Sequence, residues 1–290
     1  MRRIIFRLIP YRLKVQLRKA YNFVKYHVGV RTGELDPLHP PYGLHCVGGG
    51  DYIQIGEEFF RYFVDIAGLK PQERVLDVGC GTGRMARPLT RYLKGGSYDG
   101  IDIVAASIKW CQETYAHRYP NFHFHFTDIY NKAYNPAGSS RASEYRFPLQ
   151  ASSFDFVFLT SVFTHMLPED MDNYLSEVAQ VLKQGGRCLI TYFLLTPDSS
   201  RLIEEKASSI DFRYALQGCR VENKDVPEDA VAYDESRIRE LYEKHGLNIS
   251  EPIRYGSWCG RKNALSYQDI VVAGKPCRPA PSNRLQPTAR

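Results

Sequence analysis

VLDVGCGTGRMARPL, residues 75–89, carries a short apolar run holding an acid, then three glycines alternating with other residues, then a helical pattern. Val75, Leu76 and Val78 suit a buried parallel strand, and Gly79, Gly81 and Gly83 remove every second side chain from a sharp turn into a helix. A ligand can lie against bare backbone there. Dinucleotide-binding folds use the same strand, turn and helix, but space their glycines G-x-G-x-x-G so that pyrophosphate meets a helix N-terminus. Counted from Gly79, the third glycine of that pattern falls at position 84, which is Arg84. Asp77 just before the turn would also repel a phosphate. The segment disfavours a dinucleotide and suits a cationic ligand carrying an ammonium or a sulfonium.

Asp77-Val78-Gly79-Cys80-Gly81-Thr82-Gly83 resembles the first motif of class I S-adenosylmethionine-dependent methyltransferases, and later segments agree in order and spacing. Tyr98 to Ile103 reads as a second strand ending in an acid roughly twenty residues beyond the glycines, where nucleotide folds place a ribose-binding carboxylate. The resemblance implies that Asp102 accepts from the ribose hydroxyls beside Ile103. It also implies that Asp128 and Ile129, after a third strand at Phe122–Phe126, contact adenine. Phe154–Leu159 is similar to the family's fourth strand, and Leu182–Ile190 to its closing helix end, Gly-Gly turn and fifth strand. Singly, an acid at a strand end is more often a cap or a turn residue. Five such segments in register are not explained that way.

The resemblance spans residues 51–274 and implies an α/β, Rossmann-like, seven-stranded, mostly parallel sheet with helices on both faces. The implied strand order is 3-2-1-4-5-7-6 with the last strand antiparallel, Ile249–Tyr255 and Tyr267–Ala273 supplying the final pair. The implied cofactor is S-adenosylmethionine, bound by Asp77, Gly79, Cys80, Gly81, Gly83, Asp102, Ile103, Asp128, Ile129 and Thr160. At 290 residues the chain can bury one sizeable core, and its alternating strand and helix patterns fit that architecture. Seven cysteines, with no C-x-x-C pair and no secretory h-region, indicate a reducing, cytoplasmic setting with neither a disulfide framework nor a metal site. No apolar run is long enough to cross a bilayer.

The net charge of +6 is uneven: residues 1–34 hold nine Lys or Arg and one acid, a surplus of eight, which leaves the remainder at −2. A broad nucleic-acid-binding face is therefore disfavoured. Within the basic extension, residues 1–50, the positions Leu13, Leu17, Ala20, Tyr21 and Val24 fall at helical spacing with basic residues largely to the sides. This pattern fits peripheral contact of residues 1–27 with an anionic inner membrane surface, or equally a cationic helix packed on its own domain or on a dimer partner. The stretch HPPYGLHCVGGG is a loop, and Ile55, Phe59, Phe60, Phe63 and Val64 form the apolar face of a following helix. In related enzymes such a segment folds over the cofactor, so Tyr52 is a candidate to face the sulfonium, against the plainer reading of a helix-start aromatic.

The chemistry belongs after the fourth strand, in Leu159-Thr160-Ser161-Val162-Phe163-Thr164-His165-Met166. Methyl transfer is an in-line displacement in which the protein chiefly aligns donor and acceptor. An alcohol acceptor must also lose a proton, and His165 stands where several small-molecule O-methyltransferases place a base; its bland reading is a capping residue. Amino-directed nucleic-acid methyltransferases carry Asn or Asp with Pro-Pro and an aromatic here, protein-arginine enzymes a pair of glutamates, and metal-dependent catechol enzymes clustered carboxylates. None of these sets is assembled.

Two insertions, Tyr130–Gln150 and Thr196–Tyr233, sit where binding loops of a parallel sheet belong, and the plainer alternative is mobile surface loops. Tyr130, Tyr134, Tyr192 and Trp258 are the candidate acceptor contacts. Residues 275–290, with four prolines, are expected to be disordered. The reading is methyl transfer to a hydroxyl of a small molecule such as a sugar, a glycolipid precursor or a natural product. Two alternatives stay open: a nitrogen or carbon acceptor, and a non-catalytic adenosylmethionine-binding partner.

Overall fold

The computed structural model describes residues 11–41, 43–44 and 50–277, with side chains from residue 20 onward. Residues 1–10 of the basic extension and 278–290 of the expected tail lie outside that range. An N-terminal helix, α1 (Tyr11–Thr32), precedes the body. Asp51 then caps α2 (Tyr52–Asp65), its carboxylate accepting from the N–H groups of Ile53 and Gln54, and the helix buries Phe59, Tyr62 and Phe63.

Seven strands make the main sheet: β1 (Arg74–Val78), β2 (Ser97–Asp102), β3 (Phe122–Phe126), β4 (Phe154–Leu159), β5 (Leu182–Tyr192), β10 (Asn248–Ile249) and β11 (Asp269–Gly274). Their order is β3-β2-β1-β4-β5-β11-β10, parallel except that β11 runs antiparallel to both neighbours. This is the 3-2-1-4-5-7-6 pattern. Alternate strand residues feed two cores. Leu76, Val157, Ile190 and Val271 pack on one face with α5 (Pro168–Val181) and α7 (Glu235–Lys244). Val75, Phe156, Leu189 and Ile270 pack on the other with α2, α3 (Ala86–Tyr92) and α4 (Ala105–Tyr115). A strand buried on both faces reads as a continuous apolar run, as Phe154–Leu159 does.

The sixth strand is shorter than expected. Only Asn248 and Ile249 pair before Pro252, which has no N–H for the ladder, and Arg254 rejoins through a single bridge to Ile270. At the other end the chain stays ordered past Gly274: Lys275 exchanges backbone hydrogen bonds with Gly185 and Gly186, which corrects the expectation that the tail loses structure from Lys275.

Neither insertion is a loose loop. The first doubles back through an Ile129–Ser140 bridge and is pinned to α5, where Asn173 donates to the carbonyls of Ala142 and Tyr145 and Glu177 accepts from the Phe147 N–H. The second holds α6 (Pro197–Glu204), β7 (Tyr214–Leu216), β8 (Cys219–Val221) and most of β9 (Val231–Asp234), whose strands join β6 (Leu194–Leu195), just before it, in a four-stranded sheet of order β6-β9-β8-β7. Its core contains Phe193, Phe212 and Trp258. Asp269 of β11 joins the two sheets: Oδ2 accepts from the Leu194 N–H at 2.7 Å and the Trp258 indole at 2.8 Å, and Oδ1 from the Gly256 N–H at 2.6 Å.

Candidate active site

The glycine turn leaves β1 under two constraints. Gly79 has φ +83°, where a Cβ would stand 2.4 Å from Val162 Cγ2, so no side chain fits. Gly81 has φ +52°, yet a Cβ there would meet nothing within 4 Å. Its bare backbone faces open space. The Ile101 carbonyl fixes the turn by accepting from the N–H groups of Gly79 (2.8 Å) and Cys80 (3.1 Å).

Two carboxylates flank this turn. Asp77 is fully enclosed; Oδ2 accepts from the Tyr98 hydroxyl at 2.7 Å, and Oδ1 is buried with no partner. Burial pushes its pKa up to about 8, only partly offset by the Tyr98 hydrogen bond. Asp102, at the end of β2, accepts from the Gly81 N–H through Oδ2 and from the Val104 N–H through Oδ1, both at 2.7 Å. Burial raises its pKa against those backbone donors. The sheet reverses strand order here, between β1 and β4, where ligands of open α/β sheets bind.

Two cavities open at this point, one of about 780 Å³ and one of about 610 Å³. Both are walled by Gly79, Gly81, Asp102, Thr160, Ser161 and His165. The larger extends along Ile103, Thr127 and Ile129 to Tyr130, Tyr134 and the first insertion. The smaller takes in Asp77, Met85 and Ser107 and runs out past Phe193, Ile210 and Gln268.

The exit of β4 sets the shared wall. Ser161 sits at φ +58°, its N–H donating to Thr191 Oγ1 at 2.8 Å and its hydroxyl to Gln268 Oε1 at 3.0 Å. A single helical turn, Phe163–His165, then delivers His165, whose Nδ1 lies 2.9 Å from the Glu228 carbonyl oxygen. A carbonyl only accepts, so Nδ1 carries the hydrogen and Nε2 of the neutral ring is the acceptor. The Tyr134 ring stands edge-on to His165 at 6.2 Å.

Most expected site residues converge on this region, and four do not. Tyr52 lines neither cavity; its buried hydroxyl donates to the Thr82 carbonyl at 2.7 Å, fastening α2 to the glycine turn, with the Arg84 guanidinium over its ring. Asp128 is exposed and accepts from Ser139 at 2.6 Å within the first insertion, leaving Thr127 and Ile129 as the wall. Tyr192 is fully buried, its hydroxyl paired with that of Tyr242 at 3.0 Å. Trp258 is fully buried in the core packed against the second sheet rather than at a rim, its indole N–H satisfied by Asp269. Cys80 lines the smaller cavity while its thiol rests against Gly100 of β2. Sequence reasoning missed Ser161 as a strained junction and missed Gln268, Met85 and Glu228; the Glu228 contact is a main-chain carbonyl, which no side-chain pattern reveals.

A glycine turn with an open cradle, an orphaned buried carboxylate oxygen and a second carboxylate at the next strand end thus meet at the switch point of a Rossmann-like sheet of the methyltransferase type. The comparisons agree: residues 76–190 match the methyltransferase domain family, and the chain carries such a domain. A phthiotriol/phenolphthiotriol dimycocerosates methyltransferase of Mycobacterium leprae is 30% identical over 173 residues, 60% of this chain and 56% of that protein. The O-methyltransferase cnsE of Penicillium expansum is 31% identical over 124 residues, 41% of this chain and 37% of its own length. The chain thus spans about half the length, or less, of these curated relatives. Among solved structures, a SAM-dependent methyltransferase from Methanosarcina mazei superposes with a TM-score of 0.51 at 19% identity, covering 74% of this chain and 97% of that one. Magnesium protoporphyrin IX methyltransferase from Synechocystis, solved with SAH, gives 0.50 at 17% identity over 90% and 99%. At these identities the structural likenesses bear on the fold.

Proposed function

We propose that this protein transfers a methyl group from S-adenosylmethionine to a hydroxyl of a small molecule, with His165 as the general base. The residues present fit the donor. Asp77 Oδ1 is suited to an ammonium, the open face of Gly81 to a chain lying on backbone, and Asp102 to ribose hydroxyls, with Ile103, Thr127 and Ile129 along the nucleoside. Bound adenosylmethionine supplies an electrophilic methyl group on a sulfonium that leaves as a neutral thioether. The chain supplies alignment and a proton acceptor.

The observation that carries the reading is the Nδ1–Glu228 hydrogen bond at the wall common to both cavities, which fixes His165 in the tautomer whose Nε2 can take a proton. Nε2 accepts the proton of the acceptor hydroxyl as its oxygen forms the bond to carbon. The O-methyltransferase among the relatives supports an oxygen acceptor, and the dimycocerosates methyltransferase supports a small molecule, here a sugar, glycolipid precursor or natural product.

Screening the protein with labelled adenosylmethionine against alcohols, sugars and amines, with product NMR, tests the acceptor atom; an N- or C-methyl product overturns the hydroxyl assignment. His165→Gln is expected to lower kcat by about a hundredfold or more, with cofactor affinity unchanged and the limb of the pH profile due to the base removed. Unchanged kcat and pH profile would remove His165 from the chemistry.

A further inference from the structure

Of the nine large hydrophobic side chains exposed among the described residues, four lie on α1: Tyr21 (65%), Phe23 (64%), Val24 (58%) and Val28 (52%). The helix turns about 100° per residue, so Tyr21, Val24 and Val28, at i, i+3 and i+7, form one strip. The side that meets the body is a different one. Tyr26 is buried and its hydroxyl donates to the His39 carbonyl at 2.9 Å, and a Cβ on Gly29 would lie 2.7 Å from Leu35. By the same rotation Tyr26 falls opposite the strip and Gly29 on its flank, clear of it. In the sequence, Leu13 and Leu17 continue the strip's register toward the N-terminus.

Charge decides what covers the strip. Residues 11–32 contain six Lys or Arg and no acid, within the first 34 residues, which carry a surplus of eight positive charges, while the rest of the chain is at −2. A second copy of α1 laid along this strip would bring like charges together. An anionic lipid surface satisfies both features: headgroups take the cations, and the Tyr and Val side chains of the strip enter the boundary beneath them. No helix of the described residues is long and apolar enough to cross a membrane, so the contact is one of lying flat along a helix of roughly 33 Å.

We propose that α1 is an interfacial helix that docks this protein on an anionic bilayer through Tyr21, Val24 and Val28. The docked helix is tied to the active site. Beyond the Tyr26–His39 bond, Arg87 of α3 pairs with Asp36 of the connecting segment at 2.6 Å and with Glu57 of α2 at 2.9 Å. The same segment sets the ring of His39 5.1 Å from that of Tyr52, which fastens the glycine turn. The methyl-transfer site is thereby held at a fixed position relative to the lipid surface.

The test is co-sedimentation of the full chain with vesicles of phosphatidylcholine alone or with about one third phosphatidylglycerol, at about 0.1 M and about 0.5 M salt. Binding is expected on the anionic vesicles at low salt, to weaken at high salt and to be absent on phosphatidylcholine. The double variant Val24→Glu/Val28→Glu should lose about tenfold in partitioning while keeping the wild-type melting temperature and cofactor affinity. Wild type left in the supernatant, equal pelleting of wild type and variant, or equal pelleting on neutral vesicles each overturns the proposal. So does a wild-type dimer that the double variant abolishes without any vesicle binding, since it assigns the strip to a second copy.

Discussion

At neutral pH Asp77 should bind the donor's ammonium only after giving up a proton. Its carboxyl is fully enclosed, holds one hydrogen bond from Tyr98 and leaves Oδ1 without a partner, which pushes its pKa up to about 8. At pH 7 about nine in ten molecules carry the neutral acid, and at pH 5.5 nearly all do. If an ammonium binds only the carboxylate, affinity scales with the ionised fraction and rises about thirtyfold from pH 5.5 to 7, below the range near 7.7–8.0 where an α-amino group loses its own proton. Titration calorimetry in buffers of different ionisation heat should find about 0.9 proton released per ligand at pH 7. Asp77→Asn retains an acceptor for Tyr98 and should bind weakly with that slope gone. The sign for stability runs the other way. Because the folded pKa is raised, this carboxyl's contribution is present in full below about pH 4 and is lost as pH rises toward 8, about 4 kcal/mol by pH 7. Asp77→Asn should therefore melt higher than wild type at pH 7. Affinity that is flat from pH 5.5 to 7, or a slope that survives in Asp77→Asn, refutes the assignment.

Gly81→Ala should fold with a loss of about 1–2 kcal/mol from its left-handed backbone, since its Cβ clashes with nothing, but should weaken cofactor binding measured by calorimetry at least tenfold. Gly79→Ala, facing Val162 at 2.4 Å, should instead lower the melting temperature sharply. Asp102→Asn replaces one acceptor oxygen with a donor that opposes a backbone N–H of Gly81 or Val104, so cofactor affinity is expected to fall about tenfold or more. Asp269→Ala strips the acceptor from Leu194, Gly256 and Trp258 together and should destabilise by about 3–5 kcal/mol in denaturant titration.

The main sheet was legible because its information is local. Strands β1 to β4 are short runs of five or six residues, β1 closed by the glycine turn and β2 by an acid, each readable from its own segment. The residues proposed to hold the cofactor, Asp77, Gly81 and Asp102, stood out for the same reason, since they lie within two short segments. The second sheet was not, since Tyr214–Leu216, Cys219–Val221 and Leu194–Leu195 are too short to show a period of two. Nor was the difference between a rim and a core aromatic. Trp258 and Tyr192 sit in loop-and-strand contexts like those of Tyr130 and Tyr134, and only the distant partners Asp269 and Tyr242 decide that they are interior.

The β7–β8 hairpin turns through Gln217 and Gly218, and its strands pair with each other and, through β8 alone, with β9. Leu216, Gln217 and Gly218 nonetheless reach the wall of the larger cavity. A hairpin at the free margin of a sheet can be lengthened, shortened or exchanged without disturbing the ladder behind it. Positions 216–218 can therefore vary the size of what the larger cavity admits, and a library confined to them would test whether acceptor choice follows while leaving the glycine turn, both carboxylates and His165 untouched.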